Sequence, residues 1–143
     1  MTVSDSRTPD TDRSGDTLID KLTDAGHRVA ARMIVADDQD RITAQLRDWI
    51  AESAVDVVLA TGGTGVTGRD VTPEAFQSVY DKEIPGFGEL FRLLSYRIIG
   101  PSTIQSRATA GVAGGTYLFA LPGSPSACRD AWDMILAHQL DNR

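Results

Sequence analysis

The chain has 143 residues, enough for one hydrophobic core and one domain spanning residues 1–143. With 41% apolar and 24% charged residues it is an ordinary globular composition, which excludes collagenous, coiled-coil and globally disordered classes. A net charge of −6 and a pI of about 4.7 exclude a nonspecific nucleic-acid binder, which needs a basic footprint; a local basic pocket for a small anion stays open.

In chain order, Met1–Ser4 reads as a strand end. It is brief for a domain opening, so the strand starts outside the chain or lies at a sheet edge. Asp5–Gly15 is polar, carries Pro9 and reads as a loop, with Asp12 or Ser14 as cap of a helix whose apolar face is Leu18, Leu22 and Ala25. Gly26 ends that helix. Arg28–Val35 is compatible with a strand, and Ala36–Asp38 with a turn. Asp37 or Asp38 caps a second helix striped by Ile42, Leu46, Trp49 and Ile50. Val55–Ala60 is short, β-branched and mostly apolar, as suits a parallel strand covered on both faces. A third helix begins near Thr72, with Pro73 in its first turn and Phe76, Val79 and Tyr80 on its apolar side. Ile84–Gly88 breaks the periodicity and reads as a loop before a helix marked by Leu90, Phe91 and Leu94. Ser102–Gly111 reads as a short helix, Gly114-Gly115 as a turn and Thr116–Leu121 as a second clear strand. Ser124 caps a final helix with Pro125 in its first turn.

Helices alternating with short apolar strands predict an α/β domain with a mainly parallel sheet. Ligands bind beyond the carboxyl ends of such strands, where right-handed crossovers gather successive loops. Four loops are therefore expected to converge: Ser4–Arg7, Ala36–Asp38, Thr61–Asp70 and Pro122–Ser124.

The loop Thr61–Gly68 reads TGGTGVTG. Glycines let successive amides turn toward a ligand and cradle an oxyanion, here Gly62, Gly63 and Gly65, with the Thr61 and Thr64 hydroxyls as further donors. Gly63–Gly68 spells GxGxxG, yet Arg69-Asp70-Val71 separate it from the helix start, so it does not match a dinucleotide loop. No Gly-Lys-Ser/Thr follows, so it is not a Walker A loop. Asp70 beside such a loop repels phosphate unless a cation lies between them. Magnesium with carboxylate and phosphate ligands resolves that conflict, and Asp37 on the neighbouring loop supplies a second carboxylate or positions a water. Arg69, Lys82, Arg92, Arg97, Arg107 and Arg129 are the candidate cations of an anion pocket. Cys128 is the only cysteine, and His27 and His138 lack ligand-like neighbours, so neither a disulfide nor a zinc site is expected. The acidic N-terminus is not a signal peptide, and no apolar run approaches transmembrane length, which leaves a cytoplasmic protein as the default.

Several motifs together resemble the MoaB/Mog family of molybdenum cofactor biosynthesis. They are Val3-Ser4-Asp5, Asp12-Arg13-Ser14-Gly15, Thr61-Gly62-Gly63-Thr64-Gly65, Arg69-Asp70-Val71-Thr72-Pro73-Glu74-Ala75, Ile84-Pro85-Gly86-Phe87-Gly88-Glu89, Ser106-Arg107 and Leu121-Pro122-Gly123-Ser124. The resemblance covers essentially the whole chain; Ala36 stands where the family commonly carries proline. It implies a three-layer α/β/α sandwich with a mixed, mainly parallel sheet, assembled as a trimer or a hexamer of trimers. It implies molybdopterin as substrate, adenylylation of its terminal phosphate with ATP and Mg²⁺, and transfer of the product to a molybdate-inserting partner. Asp70 and Asp37 match the family's two important aspartates, as catalytic and metal-holding residues. Ser4, Asp5, Gly123 and Ser124 are expected near the pterin or nucleotide, beside Thr61–Gly65. A non-catalytic molybdopterin-binding protein of the same pathway stays open. An NAD binder and a purely structural protein are the remaining readings.

Overall fold

The computed structural model describes residues 1–141. Six strands form one sheet in the order β2-β1-β3-β6-β5-β4: β1 (Thr2–Val3), β2 (Ile34–Val35), β3 (Val57–Thr61), β4 (Lys82–Glu83), β5 (Thr109–Ala113) and β6 (Thr116–Leu121). The first four in that order run parallel, while β5 and β4 are antiparallel to their neighbours. β1 lies between β2 and β3 and so is not the edge strand that its brevity suggested.

Helices cover both faces because β3 and β6 alternate apolar residues to both sides. Leu59, Phe119 and Leu121 enter one core with Leu18 of α1 (Arg13–Asp24), Phe87 and Phe91 of α4 (Pro85–Ile99), and Cys128 and Ala131 of α5 (Pro125–Ala131). Val58, Ala60, Leu118 and Ala120 enter the other, with Ile42 and Leu46 of α2 (Gln39–Ala51) and Phe76 of α3 (Thr72–Gln77). The result is the expected three-layer α/β/α sandwich.

Local chemistry explains the element ends. Asp12 caps α1, Asp38 caps α2 and Ser124 caps α5, each accepting from an amide three residues on. Gly26, with φ +84°, follows α1 as its left-handed terminator. Gly114 and Gly115, with φ +56° and +85°, make the tight turn joining β5 to β6. After α5 the chain continues through a π-helical turn, Trp132–Leu136, into α6 (Ala137–Gln139).

Four readings are corrected. The helix α1 starts at Arg13, so the first loop ends before Gly15. Ile84–Gly88 is not a loop: Pro85 opens α4, where its missing N–H costs nothing, and Phe87 anchors the turn against Phe119 with ring centroids 5.2 Å apart. Gly88 is a packing glycine, since a Cβ there lies 2.5 Å from the Ala108 carbonyl oxygen. Ser102–Gly111 is split between a 3₁₀ turn, Gly100–Gln105, and β5. The strand read over Arg28–Val35 shrinks to Ile34–Val35, because β1 offers partners only at Thr2 and Val3. Residues 28–32 instead line a cavity of about 930 Å³ with Leu18, Leu22 and Val55–Leu59.

Candidate functional site

Because β1, β2, β3 and β6 run parallel, the loops that follow them meet at one sheet edge. Asp5 and Asp37 clasp two of them: Asp5 N donates to Asp37 Oδ2 at 2.9 Å, and Asp37 N donates to Asp5 Oδ1 at 3.0 Å. Arg69, from the glycine loop, donates through Nε to Asp5 Oδ2 at 3.0 Å. Gly62 N donates to the Leu121 carbonyl at 3.0 Å, which ties the glycine loop to the end of β6. The large cavity beside residues 28–32 lies elsewhere; none of these loop residues lines it.

The glycine loop has a conformation that side chains would obstruct. Gly62 and Gly63 have φ +103° and +67°. A Cβ on Gly62 lies 2.3 Å from Val3 O; one on Gly63 lies 2.3 Å from Thr72 Oγ1 and 3.2 Å from Asp37 Oδ1. Among the described residues no group accepts from the amides of Gly63 and Thr64. Gly62 N is committed to the sheet, so the set of free amides is narrower than the glycine count suggests.

Asp70 is held by its own loop. Its Oδ2 accepts from Thr67 N at 2.8 Å and Thr67 Oγ1 at 2.7 Å. Burial alone would raise its pKa; the Thr67 and Gly65 hydrogen bonds and the nearby Arg107 charge outweigh this and hold the carboxyl below its usual range. Asp37 is the opposite case. Burial raises its pKa, as do the charges of Asp5 and Asp70, against the pull of the Asp5 amide and Arg69. The Asp70 charge is thus one of the groups that make Asp37 resist ionisation.

Among the described residues, no group of three His, Cys, Asp or Glu side chains is placed to hold a metal ion. Magnesium does not require such a group: it commonly takes one or two carboxylates and completes its shell with phosphate oxygens and water.

The other predicted positions divide. Asp5, Asp37, Gly62–Gly65 and Gly123 are brought together; a Cβ on Gly123 would sit 3.3 Å from the Gly62 Cα. Thr61 is fully buried and its hydroxyl donates to Pro122 O at 2.8 Å, so it braces the loops instead of facing outward as the sequence suggested. Thr64 is buried beside it. Ser4 Oγ accepts from Ser6 N and Arg7 N, at 3.2 and 3.1 Å, and Ser124 Oγ accepts from Ala127 N at 3.1 Å; both hydroxyls hold local backbone.

Three of the six candidate cations are engaged within the fold. Arg69 pairs with Asp5, and Arg92 donates to the Ser106 and Ala108 carbonyls. Arg107 donates to the Gly65 and Asp70 carbonyls and pairs with Glu74. Two residues were missed as loop supports. Thr72 Oγ1 donates to Gly62 O at 2.8 Å while Thr72 N donates to Gly63 O at 3.1 Å, and Glu74 anchors Arg107. The Thr-Pro pair signals a helix start, and that signal hides the second use of the threonine. Glu74 Oε2 and Ser106 Oγ are buried with no hydrogen-bond partner among the described residues.

The chain is similar in sequence and fold to known proteins. A family model described as "Probable molybdopterin binding domain" matches residues 1–142. The molybdenum cofactor biosynthesis protein B of Escherichia coli (strain K12) is 52% identical over 143 residues, covering 100% of this chain and 84% of the relative. A crystal structure of a molybdenum cofactor biosynthesis protein B superposes with TM-score 0.94 at 46% identity, over 97% of this chain and 87% of that one. The molybdopterin biosynthesis enzyme MoaB from Thermus thermophilus gives TM-score 0.85 at 37% identity, over 97% and 90%.

Proposed function

The chain belongs to the MoaB/Mog family of molybdopterin-binding, molybdenum cofactor biosynthesis proteins, and from that premise we propose that it binds molybdopterin at the glycine-loop edge and adenylylates its terminal phosphate with Mg-ATP. The observation that carries this reading is the pair of unclaimed amides, Gly63 and Thr64, on the loop that also carries the Asp70 carboxylate and packs against Asp37. Anion-binding amides next to acidic groups fit a phosphate whose charge is shared with a cation. The orphaned Glu74 Oε2 and Ser106 Oγ further suit a ligand with polar edges.

Asp37 and Asp70 would hold Mg²⁺, which when bound neutralises charge on the phosphates. The protein's own work is alignment. The Gly63 and Thr64 amides hold phosphate oxygens, while the clasp between Asp5 and Asp37 fixes the neighbouring loop. An oxygen of the pterin's terminal phosphate attacks the α-phosphorus of ATP. The bond from that phosphorus to the bridging oxygen breaks, and pyrophosphate leaves with the bond's electrons. No side-chain nucleophile is required: Cys128 is buried and its thiol is pushed up to about 11 by burial.

The test is formation of adenylylated molybdopterin and pyrophosphate from purified protein, Mg²⁺, ATP and molybdopterin. Asp70→Asn keeps the loop's acceptor oxygen but loses the charge, so turnover falls at least about 100-fold while the domain stays folded with a modestly lower melting temperature. Near-native turnover in that variant overturns the catalytic role. A non-catalytic molybdopterin-binding protein is the second reading, favoured by the raised pKa of Asp37, since a carboxyl that resists ionisation is the weaker metal ligand. Pterin binding without pyrophosphate release selects it.

We extend the reading to a cytoplasmic protein; no helix among the described residues is long and apolar enough to cross a membrane. The product passes to a molybdate-inserting partner. Self-association as a trimer or hexamer is supported by exposed Leu90, Leu93 and Tyr96, spaced three apart on α4, and by Ile98, Ile99 and Ile104 beyond them.

A further inference from the structure

We propose that Arg107 is a positioning residue for the glycine loop: without touching ligand, it holds the Gly65–Asp70 half of the loop in the shape that receives a phosphorylated group. This rests on the reading of the loop as a phosphate cradle.

Arg107 enters from the far side of the sequence, between the 3₁₀ turn and β5. Its Nε donates to Gly65 O at 2.7 Å, one terminal nitrogen donates to Asp70 O at 2.8 Å, and the other pairs with Glu74. Its main-chain N donates to Thr64 O at 3.0 Å. Each side-chain nitrogen thus has a protein acceptor, and three loop carbonyls are turned toward one residue.

Peptide planarity converts that anchoring into the placement of the Asp70 carboxylate, the group of this half of the loop that would face a cation-bound phosphate. In a trans peptide the carbonyl of one residue and the N–H of the next point in opposite directions. Holding the Thr64 and Gly65 carbonyls on Arg107 aims the Gly65 and Val66 amides the other way. The Gly65 amide is accordingly among the groups that depress the Asp70 carboxyl. The same guanidinium fixes the Asp70 main chain, from which that carboxylate projects. Only a rigid, planar fork of donors reaches two carbonyls and a carboxylate together; an ammonium on a flexible stem does not. Glu74 keeps the fork oriented from the first turn of α3, which also carries Thr72, the brace of Gly62 and Gly63.

The experiment compares the native chain with Arg107→Ala and Arg107→Lys. Hydrogen exchange is followed amide by amide, and binding of Mg-ATP and of molybdopterin is measured by calorimetry. In Arg107→Ala the amides of residues 65–71 should exchange at least about tenfold faster, with β3 and β6 amides unchanged. Affinity for the phosphorylated probes should fall by about tenfold or more. Added guanidinium ion should restore part of that affinity, and Arg107→Lys should not. Native affinity in Arg107→Ala overturns the proposal, as does full recovery by lysine or faster exchange spread equally over the sheet. If the native chain binds neither probe, the phosphate reading itself fails and takes this role with it; native binding with an indifferent Arg107→Ala removes the positioning role alone.

Discussion

Three aspartates near the sheet edge have different fates, and their surroundings decide which. Asp38 caps α2 and Asp12 caps α1, whereas Asp37 Oδ1 lies beside Gly63 with no hydrogen-bond donor among the described residues. Because the Asp37 pKa is raised on folding, its ionisation opposes the native state: the folded chain binds the extra proton, so stability falls as pH rises through its folded-state pKa. Asp37→Asn should therefore melt slightly higher than the native protein at pH 7 while losing adenylyl transfer; a lower melting temperature contradicts this balance. Asp12 behaves in the reverse sense. Burial works to raise its pKa, but hydrogen bonds from Arg32, Thr2 and Gly15 N hold it low. Its contribution is present above the unfolded-state pKa of 3.8 and is lost as pH falls through the lower folded-state value. Acid titration followed by circular dichroism should show Asp12→Asn both less stable at neutral pH and less sensitive below pH 4. Gly63→Ala places a methyl against Thr72 Oγ1 at a positive φ, so it should lower stability by about 1 kcal/mol or more and weaken pterin binding. Unchanged pterin affinity in calorimetry would show the nest to be idle.

At the scale of elements, periodicity and capping locate the helices that carry an uninterrupted apolar stripe. Ile42 and Leu46, one turn apart and fully buried, hold α2 on the sheet. Leu46→Ala should cost about 2–5 kcal/mol in denaturant unfolding, and a loss under 1 kcal/mol would place the residue outside the core. The errors share a cause. Pro85-Gly86-Phe87-Gly88 has the composition of a breaker, yet proline suits a first helical turn and Gly88 yields to the Ala108 carbonyl. Gly111 ends no helix; it lies in β5 beneath the Tyr80 ring, where a Cβ would come within 2.4 Å of ring carbon. Glycine and proline report local backbone freedom; whether that freedom serves a turn or a close approach depends on a neighbour distant in sequence.

For the whole molecule, the exposed apolar stretch of α4 and the 3₁₀ turn is the feature that one copy leaves uncovered. Leu93→Glu combined with Ile104→Ser should shift the mass measured by light scattering from an oligomer to a monomer; a native chain already monomeric at micromolar concentration would overturn the assembly reading. The sequence by itself determined the α/β class, the β3 and β6 strands to within two residues, and the loops that meet at the sheet edge, because these follow from short-range patterns and right-handed parallel connections; the family came from the resemblance of its motifs. It did not determine which polar groups at that edge are free. Thr61 looks like a ligand donor in the chain, but its hydroxyl donates to Pro122 O, while Ser4 and Ser124 accept from the Ser6, Arg7 and Ala127 amides, which sets where their hydroxyls sit. Arg107 looks like a phosphate-binding cation and is instead engaged with the loop's own carbonyls. Only the tertiary structure decides such matters, because a hydrogen-bonding group is available to a ligand only when no partner within the fold has satisfied it first.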